Sequence, residues 1–178
     1  MRPDRLWKQA YVAFGGNVGD VLQTFREVIA SFHANENIEV IKYSSVYKTQ
    51  ALVAEGNADN VAPYWNAVCA LRTGLGARKL MENLQALEHE AGRTRSRPWA
   101  SRTLDLDLLA YDRQVVVDKV LSLPHPRLSE RNFVLQPFAE IAAEYKVPKW
   151  EKSVAQLLAM RLDQCEGIIE KRENWLTL

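Results

Sequence analysis

The chain has 178 residues, of which 47% are hydrophobic and 25% charged, and its formal net charge at pH 7 is +1. These values are typical of one folded domain, and the near-zero net charge excludes a general electrostatic attraction to nucleic acid or to a membrane surface. Because no apolar run is long enough for a transmembrane helix and the first eight residues are too polar for a secretory signal, we expect one cytoplasmic domain spanning 1–178.

The two cysteines, Cys69 and Cys165, have no C-x-x-C spacing, which argues against both a zinc site and a disulfide framework. Cys69 lies within an apolar run and is expected to be a small core residue. The sequence contains no Walker A pattern G-x-x-x-x-G-K-[ST]. If the protein binds phosphates, another device must bind them.

The first part of the chain predicts a strand, a helix and a second strand. The apolar run 9–14 predicts a strand, and Gly15-Gly16-Asn17 predicts a sharp turn after it, either a plain tight turn or a place where backbone approaches a ligand. Asp20 predicts the N-cap of a helix with apolar residues at helical spacing. The stretch 38–48, rich in Val, Ile, Tyr and Ser, predicts the second strand.

The middle of the chain predicts a long loop, a third strand and a second helix. The loop, 49–63, contains scattered Gly, Asn, Asp and Pro, and loops of this length often cover a site. In the strand 64–73, Asn66 is a polar residue on a mostly apolar face. Its amide is suited either to bond nearby backbone or to contact the edge of a heterocycle. Residues 77–91 predict a helix that ends at Gly92.

Leucine and aspartate alternate from Leu104 to Leu108, with the acids at Asp105 and Asp107. In a strand, this period places the leucines on one face and the two aspartates on the other. Carboxylates about 6 to 7 Å apart on one strand face repel each other unless a cation offsets the repulsion. A hard metal ion, Mg²⁺ in particular, would do so, with phosphate oxygens completing its shell.

An arginine-rich segment precedes the aspartates: ten residues without an acid contain Arg93, Arg95, Arg97 and Arg102. A guanidinium matches phosphate oxygens bidentately, and Trp99 among them offers a stacking surface for a flat ring. The alternative is a solvated edge strand preceded by a soluble loop. The direct succession of the two motifs favours a phosphate and metal site.

Prolines on both sides of His125 restrict its backbone to extended conformations, so we expect a stiffly held imidazole. Ser129 predicts the cap of a short helical turn that carries Arg131. Lone His and Arg residues are usually surface residues, and by themselves these two would carry little weight.

The element order strand, helix, strand, strand, helix, strand is that of the split βαβ, or ferredoxin-like, arrangement. It predicts an α+β sandwich: an antiparallel sheet of four or more strands with helices packed on one face. A short strand is also predicted at 115–117. The tail at 144–178 contains a predicted helix at 153–161, and we assign it no role.

The residues from about 10 to 141 carry a family resemblance. The chain resembles the 6-hydroxymethyl-7,8-dihydropterin pyrophosphokinases of the folate pathway, which move diphosphate from ATP onto a pterin hydroxymethyl group and release AMP. The motifs that carry the resemblance are A-Y-V-A-F-G-G-N, S-S-V-Y-K-T, Y-W-N-A, L-Q-A-L-E, G-R-T-R, R-T-L-D-L-D-L-L, L-P-H-P-R and R-N-F-V-L-Q-P.

The resemblance implies a role for each matching residue. It implies two Mg²⁺ ions held by Asp105 and Asp107, and a catalytic loop contributing Arg93, Arg95, Trp99 and Arg102. The implied ATP-binding residues are Met81, Gln85, Glu88, Arg93, Arg95, Leu108, Ser122, His125 and Arg131. The implied pterin-binding residues are Thr49, Leu52, Tyr64, Asn66, Trp99 and Phe133.

The chain also departs from the family pattern. It has Ala100 and Ser101 where the family usually has Gly-Pro, and Gln50 where the family often has proline. The resemblance implies ATP and the pterin as partners and no nucleic acid or membrane; we expect a monomer, and contact with other folate-pathway enzymes is an open question. Two rival classes are a nucleotidyltransferase, which also uses D-x-D with two metals, and a non-catalytic ferredoxin-like binding domain.

Overall fold

The computed structural model describes residues 6–50, 62–92, 102–161 and 167–176. The strands, in chain order, are β1 (Lys8–Gly16), β2 (Ile38–Tyr43), β3 (Val46–Thr49), β4 (Tyr64–Thr73), β5 (Asp105–Tyr111), β6 (Val116–Val117), β7 (Ser122–Leu123), β8 (Lys146–Val147), β9 (Lys152–Ser153) and β10 (Ile168–Arg172). The helices are α1 (Val21–Ala34), α2 (Ala77–Glu90), α3 (Asn132–Ala142) and α4 (Val154–Ala159), with a short 3-10 helix at Leu128–Glu130. No described helix has the length and apolar character that crossing a membrane requires.

A six-stranded sheet organises the chain, in the order β10-β3-β4-β1-β5, with β2 also paired to β4. All of these pairings are antiparallel. The long strand β1 is central and pairs with β4 on one side and with β5 on the other. The α+β class and the large antiparallel sheet are therefore confirmed. The two short hairpins, β6 with β7 and β8 with β9, lie outside this sheet.

Helix α1 begins where the sequence predicts it. The Asp20 side chain accepts a hydrogen bond from the backbone N–H of Gln23 at 3.0 Å, which satisfies one of the free donors of the first turn. The buried face consists of Val21, Phe25, Val28, Ile29 and Phe32. Burying each of the larger side chains stabilises the fold by about 1.5 to 3 kcal/mol, so this apolar stripe, rather than the cap, holds the helix on the sheet.

Helices cover both faces of the sheet, and the expectation of helices on one face was wrong. One core cluster packs α1 and α2 against the sheet, whereas a second packs Val134, Leu135 and Phe138 of α3, with residues of α4, against the opposite face. Helix α3 had not been predicted. Pro137 lies inside it, and proline removes a helical hydrogen bond and breaks the pattern by which helices are recognised.

The single strand predicted at 38–48 is two strands, β2 and β3, separated by Ser44 and Ser45. The Ser44 backbone N–H donates to the carbonyl of Val68, and the Val68 N–H donates to the Ser44 hydroxyl, both at 2.9 Å. A serine hydroxyl thus takes the backbone donor that would otherwise bond to backbone, which interrupts the ladder. Both strands still pair with β4.

The glycine pair after the first predicted strand is not a turn but the end of β1. Gly15 pairs with Asn66 of β4 and with Asp105 of β5. A Cβ atom at Gly16 would lie 2.8 Å from the Thr103 carbonyl oxygen, so only glycine allows the backbones to approach this closely. The turn predicted at these two glycines is therefore wrong, and the close approach at Gly16 is to the backbone of the same chain; the alternative of an approach to a ligand stays a prediction.

Candidate functional site

The alternation of leucine and aspartate in β5 divides the strand as the sequence predicts. Leu104, Leu106 and Leu108 are at most 6% exposed and belong to the core cluster beneath α1 and α2. The side chains of Asp105 and Asp107 are 25% and 27% exposed, on the other face of the strand. Both acids are reachable from solvent, yet neither is fully hydrated.

Each aspartate is paired with an arginine. Arg102 Nη1 donates to Asp105 Oδ2 at 2.6 Å, and Arg131 Nη1 donates to Asp107 Oδ2 at 2.7 Å. His125 Nε2 lies 3.7 Å from the same oxygen of Asp107. Partly exposed pairs of this kind contribute about 0 to 1 kcal/mol, so an incoming phosphate or cation can exchange partners with them at small cost.

His125 is fixed by its own backbone and ring. Its backbone N–H donates to the Leu109 carbonyl at 2.8 Å, and its Nδ1 accepts the backbone N–H of Arg127 at 3.2 Å. A neutral ring that accepts at Nδ1 carries its proton on Nε2, the nitrogen that faces Asp107. Burial lowers the pKa of His125, an effect that Asp107 opposes and Arg131 reinforces. The stiff placement predicted for this residue thus has a hydrogen-bonding basis.

Glu88 links helix α2 to the aspartate strand. It is 4% exposed, and its Oε1 accepts the backbone N–H of Leu106, between the two aspartates, at 2.7 Å. A carboxylate buried this deeply is stable only when hydrogen-bonded, so Glu88 fixes β5 between the two aspartates. On the same helix, Met81 is half-buried and Gln85 is exposed.

A neutral, buried pair lies on the other side of β1. Asn66 is 5% exposed and Thr49 is 3% exposed, and Asn66 Nδ2 donates to Thr49 Oγ1 at 3.0 Å. Tyr64, half-buried, pairs with Thr49 across the two strands. Burial raises the pKa of Tyr64, Arg102 lowers it and Asp105 raises it. Tyr64 therefore lies close enough to Arg102 and Asp105 to interact with their charges.

The aspartate side and the amide side meet over Gly15. A Cβ atom there would lie 3.6 Å from Asp105 Cβ and 3.8 Å from Asn66 Oδ1. Glycine therefore leaves this space open between a carboxylate and an amide. We call Asp105, Asp107 and their partners the charged half of the site, and Thr49, Tyr64 and Asn66 the neutral half.

Asn17, which was not among the predicted site residues, ties Arg102 of the charged half to the segment that precedes β4. Its Oδ1 accepts the Arg102 backbone N–H at 2.8 Å, and its Nδ2 donates to the Ala62 carbonyl at 3.3 Å. The Asn17 backbone N–H also donates to the Arg102 carbonyl at 2.9 Å. The sequence signal was the Gly-Gly-Asn run, but asparagine after two glycines is equally typical of a plain turn.

A sequence model of the family described as 7,8-dihydro-6-hydroxymethylpterin-pyrophosphokinase (HPPK) matches residues 11–143. The chain belongs to the HPPK family. The match runs from within β1 to the end of α3 and so includes every described residue of both halves of the site.

Relatives of this HPPK chain agree with the family match. It is 38% identical over 135 residues to the 2-amino-4-hydroxy-6-hydroxymethyldihydropteridine pyrophosphokinase of Bacillus subtilis, covering 76% of this chain and 78% of that protein. The Haemophilus influenzae protein of the same name is 34% identical over 139 residues, with 78% and 84% covered.

Among solved structures, wild-type Plasmodium falciparum HPPK-DHPS has a similar fold, with a TM-score of 0.65 at 12% identity. The similarity covers 92% of this chain and 47% of that one, so this chain spans under half the length of that protein. At this identity the likeness concerns the fold alone.

The remaining described residues that the HPPK resemblance assigns fall in three places. Phe133 lies at the start of α3, with the guanidinium of Arg131 5.9 Å from the centre of its ring. Ser122 is half-buried and pairs with Val117 in the β6–β7 hairpin. The Leu108 side chain lies in the core and does not join the aspartates. The assigned residues Leu52, Arg93, Arg95 and Trp99 lie outside the described residues.

The two aspartates suit the Mg²⁺ ions that the HPPK resemblance implies. Within the described residues, no group of three or more His, Cys, Asp and Glu side chains could hold a metal ion. Mg²⁺ in phosphate sites is typically bound through one or two carboxylates, with substrate phosphates completing the shell. Asp105 and Asp107, partly exposed on one strand face, offer that donor set.

Proposed function

We propose that this chain transfers diphosphate from ATP to the hydroxymethyl group of 6-hydroxymethyl-7,8-dihydropterin and releases AMP, as a step of folate biosynthesis. The observation that carries the proposal is the meeting of the two halves over Gly15 in a chain of the HPPK family. Pairs of acid and arginine suit a triphosphate, and a buried amide with a hydroxyl suits a polar heterocycle.

The neutral half would bind the pterin. Asn66 is fixed by its bond to Thr49, so its remaining amide groups can pair with a ring edge that offers both a donor and an acceptor. Tyr64, at the start of β4, and Phe133, at the start of α3, would contact the ring. Leu52 and Trp99 complete the proposed pterin set on the strength of the resemblance.

The charged half would bind ATP. Arg131 and His125 both face Asp107, and a triphosphate entering there would gain the guanidinium fork and the Nε2 proton of His125. Glu88 would act chiefly by holding β5. Met81 and Gln85, which precede Glu88 on α2, would contact the nucleoside of ATP. Arg93, Arg95 and Ser122 are proposed for ATP from the resemblance, and Leu108, whose side chain lies in the core, would contribute only through its backbone.

Asp105 and Asp107 would hold two Mg²⁺ ions. When bound, such ions neutralise phosphate charge and activate the attacking hydroxyl. Arg102 and Arg131 would then be released from their aspartates and become available for phosphate oxygens. In this proposal, the two ion pairs keep Arg102 and Arg131 close to the position that the transferred diphosphate would occupy.

Phosphoryl transfer leaves little covalent chemistry to the protein, so positioning and charge stabilisation dominate. The pterin hydroxyl attacks the β-phosphorus, the bond from that phosphorus to the α-side bridging oxygen breaks, and AMP leaves. Asn66 and Thr49 orient the nucleophile, and Arg131 stabilises the negative charge that develops on the leaving side. Arg93, Arg95 and Trp99 would exclude water, which competes for the same phosphorus.

We expect the protein to act as one catalytic domain and as a monomer in the cytoplasm, on these two small molecules. Its contact with other folate-pathway enzymes is a separate question that the same purified chain can address.

Incubation with ATP, Mg²⁺ and 6-hydroxymethyl-7,8-dihydropterin tests the proposal. We expect AMP and a diphosphorylated pterin, and no turnover by the Asp105→Asn, Asp107→Asn double variant, which serves as the matched control. ADP with a monophosphorylated pterin would indicate an ordinary kinase. Pyrophosphate with an adenylylated acceptor would indicate a nucleotidyltransferase, and binding without turnover a non-catalytic domain.

A further inference from the structure

The C-terminal segment, which lies beyond the family match, adds an outer strand to the sheet. Strand β10 pairs antiparallel with β3, with Ile168 opposite Thr49 and Arg172 opposite Val46. On its other side, β3 pairs with β4, so that Thr49 lies between Ile168 and Tyr64. A strand of four residues without this partner would be an edge strand, and its last residue would fray most readily.

Trp175 anchors this strand in the main core. It is 4% exposed, and its Nε1 donates to the Ser44 carbonyl at 2.8 Å. Its backbone oxygen accepts Arg26 Nε from α1, also at 2.8 Å. The indole meets the rings of Phe25 and Tyr43 edge-on, with centroids 6.0 and 5.8 Å apart. The anchor therefore contacts α1, β2 and the junction at which β3 begins.

Side chains couple β10 to the strands that carry the neutral half. Arg172 and Lys48 both lie over the ring of Trp65, at 4.9 and 5.1 Å from its centre. Lys48 also lies 3.8 Å from Glu170 across the strand pair. Trp65 stands between Tyr64 and Asn66 in the sequence, so these contacts fix the register of β4 as well as that of β3.

We infer that β10 and its Trp175 anchor form a positioning element for the neutral half of the site, holding Thr49 where its hydroxyl receives the Asn66 amide. The inference rests on the proposed function, which assigns Thr49 and Asn66 to the pterin. The two aspartates of the charged half lie on β5, at the edge of the sheet opposite β10. Loosening the anchor should therefore weaken pterin binding selectively.

Two variants of the full chain test the inference. Trp175→Phe keeps a ring but removes the donor to Ser44, and Trp175→Ala removes both. Trp150→Ala is the matched control, since Trp150 packs in the second core cluster on the opposite face. Calorimetry gives the Kd of the pterin at saturating non-hydrolysable ATP analogue, and the Kd of the analogue alone. Backbone hydrogen exchange of Val46–Thr49 reports whether β3 has loosened.

We expect Trp175→Ala to raise the pterin Kd about tenfold and Trp175→Phe about threefold to fivefold, on the scale of one lost hydrogen bond with its packing. The Kd of the ATP analogue should change less than about twofold, and β3 should exchange faster only in the Trp175 variants. An equal change in both Kd values, the same pattern in Trp150→Ala, or faster exchange with an unchanged pterin Kd would overturn the inference.

The same titrations separate this inference from the proposed function. A wild-type chain that binds pterin but makes no AMP contradicts the proposed function, while the Kd ratio between variants still decides the inference. A wild-type chain that does not bind pterin at all overturns both.

Discussion

The two halves of the site differ most in their access to water. Asp107 and Arg131 expose 27% and 19% of their side chains, whereas Thr49 and Asn66 are 3% and 5% exposed. The charged half is held by ion pairs that a ligand can exchange, and the neutral half by a buried hydrogen bond that is in place before any ligand arrives. Substitutions in the charged half should therefore affect chemistry with little effect on folding, whereas those in the neutral half should affect both.

The difference has an energetic basis. A partly exposed ion pair contributes about 0 to 1 kcal/mol, because water and salt screen it and both side chains lose rotamer freedom. A buried polar group that loses its partner costs about 1 to 3 kcal/mol, because no water molecule replaces the lost hydrogen bond. The same kind of deletion therefore has different consequences on either side of Gly15.

The largest effect is expected in the charged half. Asp107→Ala should lower kcat by at least about 10²-fold at saturating Mg²⁺, because it removes a carboxylate that acts where phosphate charge develops. The free energy of unfolding should change by less than about 1 kcal/mol. Steady-state kinetics and urea unfolding measure the two quantities.

Glu39→Gln is the control for Asp107→Ala, since Glu39 forms an exposed ion pair with Arg72 on β2 and β4, away from the site. It should leave kcat unchanged. If Asp107→Ala retains more than a tenth of the wild-type rate, the assignment of Asp107 to the metal is wrong.

In the neutral half, Asn66→Ala should affect both pterin binding and stability. It leaves the Thr49 hydroxyl without its donor, so the pterin Kd should rise about 5- to 100-fold and the free energy of unfolding should fall by about 1 to 3 kcal/mol. ATP binding should stay nearly unchanged. Calorimetric titration measures the Kd of each ligand. An equal loss of affinity for pterin and for ATP would identify Asn66 as purely structural.

Asn17 bonds to the backbone of Arg102, in the charged half, and of Ala62, just before the strand that carries Tyr64 and Asn66, so its loss should affect both halves. Asn17→Ala leaves the Arg102 N–H and the Ala62 carbonyl without this partner, and we expect losses of about tenfold in kcat/KM for each substrate. Asn17→Ser, which keeps a hydrogen-bonding group, should recover part of the loss. A change confined to one substrate would show that Asn17 serves only one half.

The smallest effect is expected at Glu140, which holds the start of β3. Its Oε2 accepts Tyr47 Oη at 2.6 Å, and its Oε1 accepts Ser45 N–H and Oγ. Burial opposes ionisation, but these hydrogen bonds outweigh it and hold the pKa of Glu140 below its ordinary value. A depressed folded-state pKa means that the stabilisation is present above the ordinary glutamate pKa and is lost as the pH falls through the folded-state value.

Glu140→Gln should therefore lower the free energy of unfolding at pH 7 by no more than about 1 kcal/mol, because Glu140 is exposed and water screens its interactions, and the difference from wild type should shrink in acid. Urea unfolding at a series of pH values measures it, with the exposed Glu144→Gln as the control. A difference that grows as the pH falls would contradict the account.

Local patterns account for what the sequence could predict. The alternation in β5 placed Asp105 and Asp107 on one face because the strand period of two holds irrespective of partners. The cap at Asp20 and the apolar stripe behind it likewise predicted α1, and Cys69 is buried as expected.

Long-range contacts account for what it could not. Arg131 reaches Asp107 across 24 residues of sequence, and no local pattern links them. Strand β10 has a mostly polar sequence and is defined by its pairing with β3, far earlier in the chain. The helical pattern places Glu88 beside the apolar stripe of α2, and only the packing of α2 on β5 makes it a buried acceptor.

Labelled ATP shows whether the site moves the β- and γ-phosphates of ATP together. With ATP labelled at the γ position, mass spectrometry of the products after a single turnover locates the label. The account predicts the label in the terminal phosphate of a diphosphorylated pterin, together with unlabelled AMP. Label in a monophosphorylated pterin with ADP, or in free pyrophosphate, would contradict it.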